Sequence, residues 1–340
     1  MYLERWLKMR SLEINSDYDL TITNMVLDIY DYFDKDHNNE NEEINCPKGF
    51  KHMMEIINNR VYNNANIFKE TGVNIGRTEL PDTKTIVIGY SSGVDSTFQA
   101  LRFRHEGYHV ILLHCDNLNK SYPDEKNTAR EFASKYGFDL VTVGIKHNGS
   151  QFFIDNPTKN QCVIMACMID YCRANGINNI ALGSSASANF NNRHTQLSIT
   201  DAHETYDTFL EGINEYVGNI RYHHIDRSKK DCYKFIIENY PDALKLVNSC
   251  VSPYRFKKHL NKVQREKFGL EPITDNRCMS CFKCITEYLM LVDLGYMERN
   301  EAYIDHSCKY MKKKRDNITT VGLIDKNSTN EEIERNIING

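Results

Sequence analysis

The middle of the chain alternates short apolar runs with stretches of helical periodicity. Four runs stand out, at residues 85–89, 110–114, 140–143 and 180–183. The first and the last end in glycine and small polar residues, which is typical of buried strands. Strands that alternate with helices predict a parallel, doubly wound sheet. Because ligands of such sheets lie beyond the carboxyl ends of the strands, we expect the site in the loops after Gly89, His114 and Gly183.

The two ends of the chain show different patterns. Apolar residues recur at helical spacing between positions 25 and 33, a polar run at 34–45 predicts a loop, and a second helical pattern covers 50–68. Pro81 disfavours helix in the residue before it, so we place a boundary near residue 82. The segment beyond Lys309 is charged and rich in asparagine, and we expect it to fray or to cover the surface.

Composition narrows the classes of partner. The 340 residues carry 42 basic and 46 acidic side chains, a net charge of -4, so there is no global basic field that holds a nucleic acid, and we expect none as a partner. The chain begins MYLERWLKMR, without an apolar secretion signal, and no apolar stretch approaches the roughly 18 residues of a membrane span. We therefore expect a cytoplasmic protein that enters no membrane and keeps its 11 cysteines reduced.

The loop after the first apolar run has the chemistry of an anion site. It reads Tyr90-Ser91-Ser92-Gly93-Val94-Asp95-Ser96, and a helical pattern begins near its end. Gly93 lets the backbone approach a ligand, the helix start offers free N–H groups, and three serine hydroxyls can bind phosphate oxygens. The glycine spacing is not that of a dinucleotide site, and no Gly-Lys-Ser/Thr of a Walker loop is present. An ordinary strand-to-helix turn with Ser and Asp as caps is the alternative.

Four cysteines predict a metal site. Cys278, Cys281 and Cys284 follow at intervals of three, and Cys250 lies 28 positions upstream. Four thiolates around one point suit a structural, tetrahedral zinc ion, and an iron–sulfur cluster is the alternative. Lys283, beside them, would offset the negative charge of zinc with four thiolates. Three other cysteines recur at intervals of five on an apolar helix, a poor ligand spacing, so we expect core thiols at Cys162, Cys167 and Cys172.

The loop at 91–96 resembles the SGGxDS loop of the N-type ATP pyrophosphatases. Ser92 replaces the middle glycine, a change that fits only if residue 92 avoids positive φ. With the late cysteines, the chain resembles 7-cyano-7-deazaguanine synthase, a family of deazapurine biosynthesis, over residues 84–290. Further segments match that family in order: 156–160 resembles its VPGRN, with Lys159 for Arg; 184–188 is its small-residue loop; 201–209 takes the place of its aspartate-rich segment; and 248–250 resembles its WSCY.

This resemblance implies an α/β fold. We expect a Rossmann-like parallel sheet, adenine nucleotide alpha hydrolase-like, with a helical N-terminal extension and a C-terminal zinc-bearing helical region. The corresponding units are a helical extension at 1–82, a PP-loop ATP pyrophosphatase domain at 83–245, a zinc-binding helical region at 246–310 and a charged tail at 311–340. The resemblance also leads us to expect a homodimer.

The resemblance implies an AMP-forming carbon–nitrogen ligase. ATP would adenylate the carboxylate of a 7-carboxy-7-deazaguanine-like substrate, pyrophosphate would leave, and ammonia would displace AMP to give an amide. A second activation by ATP would dehydrate this amide where the product is a nitrile. The implied cofactors are ATP, Mg²⁺ and Zn²⁺. The implied catalytic residues are Ser91, Asp95, Ser96 and Lys159. The implied nucleotide-binding residues are Tyr90, Ser91, Ser92, Gly93, Val94, Asp95, Ser96, His114, Gly183 and Ser184. The implied substrate-binding residues are Asn160, Ser185, Asp201 and Asp207, with His203 as a further proton carrier, and the implied zinc ligands are Cys250, Cys278, Cys281 and Cys284.

Two departures from the family leave alternatives open. The family's aromatic-Gly-Gln-Arg-His motif is absent after the second strand, where this chain has His114-Cys115-Asp116-Asn117, so the substrate or the nitrogen donor can differ. Residues 1–80 have no counterpart in the ordinary enzyme, and we expect them to bind a protein partner. The alternatives are a ligase that joins a deazapurine to a protein in antiviral defence, a PP-loop tRNA-modifying enzyme that uses the basic run at 309–315, and a nucleotide-binding scaffold without turnover.

Overall fold

The computed structural model describes residues 12–15, 18–24, 26–27, 44–47, 68–71, 79–116, 125–147, 157–183, 210, 214, 218–250, 254–271, 277–314 and 327–339. Its eight strands are β1 (Leu12–Asn15), β2 (Ile44–Pro47), β3 (Phe68–Thr71), β4 (Thr85–Gly89), β5 (His109–Asp116), β6 (Asp139–His147), β7 (Asn179–Leu182) and β8 (Arg221–Tyr222). Six of them form one sheet in the order β1-β6-β5-β4-β7-β8, and β2 pairs with β3 in a separate parallel ribbon.

The main sheet has the doubly wound order that the apolar runs predict. The strands β6, β5, β4, β7 and β8 are parallel, and the chain changes direction across the sheet between β4 and β7. All four predicted strands are present, at bounds within a few residues of the apolar runs. The Rossmann-like fold class is therefore confirmed.

Helices cover both faces of this sheet, and further helices follow in the C-terminal part of the chain. The described helices are α1 (Val94–His105), α2 (Glu125–Tyr136), α3 (Pro157–Asn175), α4 (Lys229–Asn239), a 3₁₀ helix (Pro241–Leu246), α5 (Tyr254–Phe268), α6 (Phe282–Asp293), α7 (Glu301–Lys314) and α8 (Asn330–Asn339). Successive residues of β4 point to opposite faces. Ile86 and Ile88 pack with α1, α2 and α4, whereas Val87 packs with α3. The α3 face also buries the three predicted core thiols, Cys162, Cys167 and Cys172.

The described part of the N-terminal extension is not helical throughout. Residues 21–24 and 26–27 are helical, but β1 adds an antiparallel edge strand to β6, and β2 and β3 are also strands. Leu20, Ile22 and Val26 join the α3 core, and the carboxylate of Asp170 accepts the N–H groups of Ile22 and Thr23 at 3.0 and 2.8 Å. Four-residue strands give too short a pattern to be separated from helix in sequence. The predicted helix at 50–68 lies almost wholly outside the described residues.

The C-terminal helices form a core of their own. Tyr288 and Tyr303 pack edge to face with ring centroids 4.7 Å apart, between α6 and α7. Of the two expectations for the segment beyond Lys309, residues 330–339 cover the protein and do not fray, because α8 buries Ile333 and Ile337 in this core and Arg299 forms an ion pair with Glu334 at 2.6 Å. Ile333 and Ile337 lie four positions apart, on one face of the helix. This pattern was missed in the sequence because charged and polar residues surround the two isoleucines. Among the described helices, none is long and apolar enough to cross a membrane.

Candidate functional site

A cavity of about 430 Å³ opens at the carboxyl ends of β4, β5 and β7. This is the point where the strand order reverses, and open α/β sheets bind ligands there. Its lining includes Ser91, Gly93, Val94, Asp95, Ser96, His114, Glu125, Gly183, Lys229, Asn248, Cys250 and Lys283. The structure thus brings most of the described candidate residues together in one place.

Two glycines allow the strands to approach each other beneath the cavity. A Cβ on Gly183 would lie 2.7 Å from the amide nitrogen of Ser96, so any side chain there would push β7 away from the start of α1. A Cβ on Gly89 would lie 2.6 Å from Leu182 Cδ2. Gly183 therefore shapes the site through its lack of a side chain.

The loop between β4 and α1 faces the cavity with its hydrogen-bond donors. Ser96 Oγ donates to the carbonyl oxygen of Gly93 at 3.1 Å and accepts from the N–H of Ser91 at 3.3 Å. The helix begins at Val94 after Gly93, which has no side chain to cap it. No Ser or Asp side chain caps this helix start, so the capping that the alternative required is not present. The first N–H groups of α1 are left for a ligand, which suits an anion.

Ser92 adopts the left-handed conformation, with φ at 60°, contrary to the expectation that it avoids positive φ. A non-glycine residue there costs about 1 kcal/mol. Two hydrogen bonds hold it: Ser92 Oγ donates to the carbonyl oxygen of Glu125 at 3.3 Å, and the N–H of Asn248 donates to the Ser92 carbonyl at 2.7 Å. Its side chain is fully buried and points away from the cavity toward α2.

Tyr90 and His114 differ in what they can offer a nucleotide. The Tyr90 ring stacks on Phe132 at 5.0 Å between centroids and is 2% exposed, so it belongs to the core, and only the backbone of this residue can serve as a contact. His114 Nδ1 lies 3.0 Å from the carbonyl oxygen of Tyr90. Because a carbonyl only accepts, Nδ1 carries the proton, and burial lowers the pKa of His114. The neutral ring keeps Nε2 as an acceptor, which suits an adenine amino group.

Four side chains that can carry a charge line the cavity: Asp95, Glu125, Lys229 and Lys283. Lys229 Nζ lies 3.1 Å from Asp95 Oδ2, and Asp95 Oδ1 has no hydrogen-bond partner within the described part of the chain. Burial raises the pKa of Glu125 to about 7, while the positive charges of Lys257 and Lys283 oppose this rise. No sequence pattern predicts Lys229 or Glu125 as site residues, because each comes from a different helix. The capping box Ser228-x-x-Asp231 marks only the start of α4.

The remaining predicted site residues lie at the edge of the described structure or beyond it. Lys159 and Asn160 fall in the first turn of α3, and Gln161 and Ile164, which follow them, line the cavity. This turn therefore borders the site, although the side chains of Lys159 and Asn160 lie outside the described structure. The candidates Ser184, Ser185, Asp201, His203 and Asp207 lie outside the described residues.

The four predicted metal ligands are buried together. All four Sγ atoms of Cys250, Cys278, Cys281 and Cys284 lie within 4.8 Å of one another, with 3.9 Å between Cys278 and Cys284 and 4.0 Å between Cys281 and Cys250. A metal–sulfur bond of about 2.3 Å places the sulfurs of a tetrahedral site about 3.8 Å apart, so the group fits one metal ion. A four-iron cluster binds its cysteines through different irons and needs wider spacing.

The turn between Cys278 and Cys281 directs backbone N–H groups at a thiol. Met279 has φ at 55°, and this conformation directs the N–H groups of Ser280 and Cys281 toward Cys278 Sγ at 3.4 and 3.2 Å. Such N–H donors stabilise thiolate charge.

The buried Arg277 precedes the turn and binds both carboxylate oxygens of Glu287 at 2.6 Å.

The metal site and the cavity share a wall. Cys250 lines the cavity with Ser249 and Asn248. Asn248 Oδ1 accepts from the buried Lys257 at 3.1 Å, and Asn248 Nδ2 has no partner among the described residues. Because the N–H of Asn248 also donates to the Ser92 carbonyl, residues 248–250 connect the loop between β4 and α1 to the four cysteines.

No protein-family model matches the chain. Similar curated sequences include the tRNA-specific 2-thiouridylase MnmA of Coxiella burnetii, strain CbuG_Q212, which is 26% identical over 170 residues, covering 43% of this chain and 46% of the relative. The same protein of strain Dugway 5J108-111 is 26% identical over 155 residues, covering 39% and 43%. The chain therefore spans less than half the length of these relatives. Together with the loop at residues 91–96, this similarity supports membership of the N-type ATP pyrophosphatase superfamily. It does not identify a particular family within that superfamily.

Two solved structures also resemble the chain. One is a predicted subunit of tRNA methyltransferase from Methanocaldococcus jannaschii, at a TM-score of 0.29 and 14% identity, covering 53% of this chain and 87% of the other. The second is the U34-tRNA thiolase NcsA from Methanococcus maripaludis with its [4Fe-4S] cluster, at a TM-score of 0.24 and 11% identity, covering 58% and 77%. Similarity at this level does not define a function.

Proposed function

We propose that this protein uses ATP to adenylate a substrate oxygen and releases pyrophosphate from the cavity above the phosphate-binding loop. The observation that carries the proposal is the start of α1, which no side chain caps and which lines the same cavity as Ser91 and Ser96 at one end of a parallel sheet. This geometry suits a polyphosphate better than a single carboxylate. The sequence similarity to PP-loop enzymes supports the same chemistry.

Four of the residues that line the cavity have a role in this proposed reaction. Ser91, Ser96 and the first N–H groups of α1 bind the phosphates, and His114 Nε2 is placed to accept from adenine. Asp95 is the carboxylate for Mg²⁺, because its Oδ1 is buried without a hydrogen-bond partner in the described structure while Lys229 contacts Oδ2. When bound, Mg²⁺ shields the negative charge around the attacked phosphorus.

The acceptor that we favour is a carboxylate of the 7-carboxy-7-deazaguanine kind, with ammonia as the nucleophile that displaces AMP. Adenylation turns the carboxylate oxygen into a good leaving group. The sequence segments at 156–160 and 248–250 support this acceptor because both lie at the cavity. Gln161, directly after the first segment, lines the cavity, and so do residues 248–250 themselves. Lys159 would neutralise the substrate carboxylate or the α-phosphate.

For the four-cysteine site we propose zinc in a structural role. All four thiolates lie close enough for one tetrahedral ion, and no ligand position is left for a substrate. The ion would join residues 248–250 to α6, and thereby fix one wall of the cavity.

A tRNA acceptor is the second candidate, for two reasons. The similar curated sequences are tRNA thiouridylases. In addition, α5 carries an exposed ring, Phe256 at 45% exposure, and three exposed lysines, Lys258, Lys262 and Lys267, and this helix adjoins the cavity wall through Lys257. Basic side chains and an exposed ring on one helix suit an RNA strand.

Product analysis separates these candidates. Zinc-loaded protein is given ATP, Mg²⁺, ammonium and 7-carboxy-7-deazaguanine, or ATP and tRNA, and the pyrophosphate and product masses are measured. We expect an amide or nitrile in the first mixture, its loss in Ser96→Ala, and full activity in Ser134→Ala, a matched change on the exposed side of α2. Pyrophosphate release only with tRNA would favour the second candidate. Absence of release in both mixtures would contradict adenylation.

A further inference from the structure

Two lysines outside the phosphate-binding loop enter the same cavity. Lys229 is the first residue of α4, and Lys283 is the second residue of α6. Both line the cavity together with the start of α1. Three helices therefore begin at one cavity, and the positive ends of their dipoles add to the two ammonium charges. The described lining contributes only two carboxyl groups against these charges, Asp95 and Glu125.

Asn248 supplies an independent sign of a ligand. The residue is 5% exposed and lines the cavity, its Oδ1 is occupied by Lys257, and its Nδ2 finds no acceptor among the described residues. A buried amide donor without an acceptor costs about 1–3 kcal/mol. A ligand oxygen in the cavity would remove this cost.

We propose that Lys229, Lys283 and Asn248 bind the β- and γ-phosphoryl groups of ATP, the part that leaves as pyrophosphate, and that the metal ion positions Lys283 and Asn248 for this task. The inference rests on the proposed function, because it assigns the residues of that same nucleotide site. Pyrophosphate carries most of the negative charge of ATP, so the lysines discriminate ATP from AMP. They also stabilise the leaving group as the bond to the α-phosphorus breaks.

The position of the cysteines explains the role of the metal. Lys283 lies between Cys281 and Cys284, and Asn248 lies two residues before Cys250. One ion that holds these three cysteines fixes the backbone on both sides of the cavity. Loss of the ion should therefore weaken phosphate binding even where the phosphate-binding loop is intact.

Calorimetric titration of the metal-loaded protein tests the lysines. The probes are a non-hydrolysable ATP analogue, inorganic pyrophosphate and AMP. We expect Lys283→Met and Lys229→Met to weaken binding of the analogue and of pyrophosphate by about tenfold or more, since each removes a charge-assisted contact, and to leave AMP binding unchanged. Lys283→Arg should restore part of the affinity. Lys234→Met is the matched control, because Lys234 is exposed on α4, and it should change nothing.

The same titration on chelator-treated protein tests the metal. Removal of the ion should weaken analogue binding in the wild type and have a smaller further effect in Lys283→Met, with circular dichroism confirming that the sheet and helices persist. Wild-type affinity in Lys283→Met would overturn the inference and leave the proposed function standing. A wild-type protein that binds neither the analogue nor pyrophosphate would overturn both.

Discussion

The backbone N–H of Asn248 donates to the carbonyl oxygen of Ser92 at 2.7 Å and joins the segment that carries Cys250 to the loop between β4 and α1. Ser92 is thereby held at φ 60°, where a side chain is normally disfavoured. Residue 92 has a backbone conformation that glycine would adopt without strain. Serine is tolerated there because its hydroxyl and its carbonyl oxygen both form hydrogen bonds, with Glu125 and Asn248.

Ser92→Gly should leave the free energy of unfolding within about 1 kcal/mol of the wild type. The relief of the positive φ is offset by the lost hydrogen bond and by the greater backbone freedom of glycine. Ser92→Val should lose about 2 kcal/mol, because a β-branched side chain is costly at positive φ. Urea denaturation measures both. Equal stability of the glycine and valine variants would show that residue 92 is not held at positive φ.

Breaking the buried ion pair between Arg277 and Glu287 should destabilise the C-terminal region strongly. Both side chains are at most 2% exposed, and Glu287 also accepts from Tyr233 at 2.9 Å. Glu287→Ala leaves a buried guanidinium uncompensated, which costs about 3–5 kcal/mol. The control is Glu238→Ala, which removes an exposed pair with Lys234 and should cost less than about 0.5 kcal/mol in the same denaturation experiment. Similar losses in the two variants would contradict the buried arrangement.

Stability should depend on pH through Glu125. Burial raises the pKa of its carboxyl group from 4.5 to about 7 in the folded protein. Between these values the unfolded chain has already lost the proton that the folded protein retains, so folding stability falls as pH rises from about 4.5 to 7 and this contribution is constant above. Glu125→Gln removes the effect. We expect the free energy of unfolding of the wild type to fall relative to that of the variant as pH rises across this range. A difference that does not change with pH would refute the raised pKa of Glu125.

The cysteine site should hold one metal ion per chain. Mass spectrometry of the native protein and elemental analysis should give one zinc, and cobalt substitution should give the visible absorption of a tetrahedral tetrathiolate site. Cys284→Ser should release the ion, whereas Cys308→Ser, a buried cysteine outside the site, should retain it. Several irons with inorganic sulfide per chain would contradict the single-ion geometry.

The sequence predicted the four central strands β4, β5, β6 and β7 because each of them leaves a local pattern. Residues 85–89 form a run of buried apolar side chains, and the small residues after Gly89 mark the turn into α1. The cysteine site was equally accessible, since three of its ligands are close in sequence. In both cases the information lies within a few residues.

Features that arise from packing were not accessible in the same way. Lys229, Glu125 and Asn248 meet only because the starts of α4 and α2 and the segment after the 3₁₀ helix lie at one cavity, and no spacing in the sequence predicts that meeting. The edge strand β1 was missed because four residues do not define a period, and α8 because its two buried isoleucines lie among charges. The positive φ of Ser92 was missed because the hydrogen bonds that offset its cost come from residues 125 and 248.

Exchange of isotope-labelled pyrophosphate into ATP tests adenylation most directly. The metal-loaded protein is incubated with ATP, Mg²⁺, labelled pyrophosphate and each candidate acceptor, without ammonium. We predict that label enters ATP only when the correct acceptor is present and that Ser96→Ala abolishes the exchange. Formation of ADP and phosphate in place of exchange would show transfer of the terminal phosphoryl group, and would contradict the account.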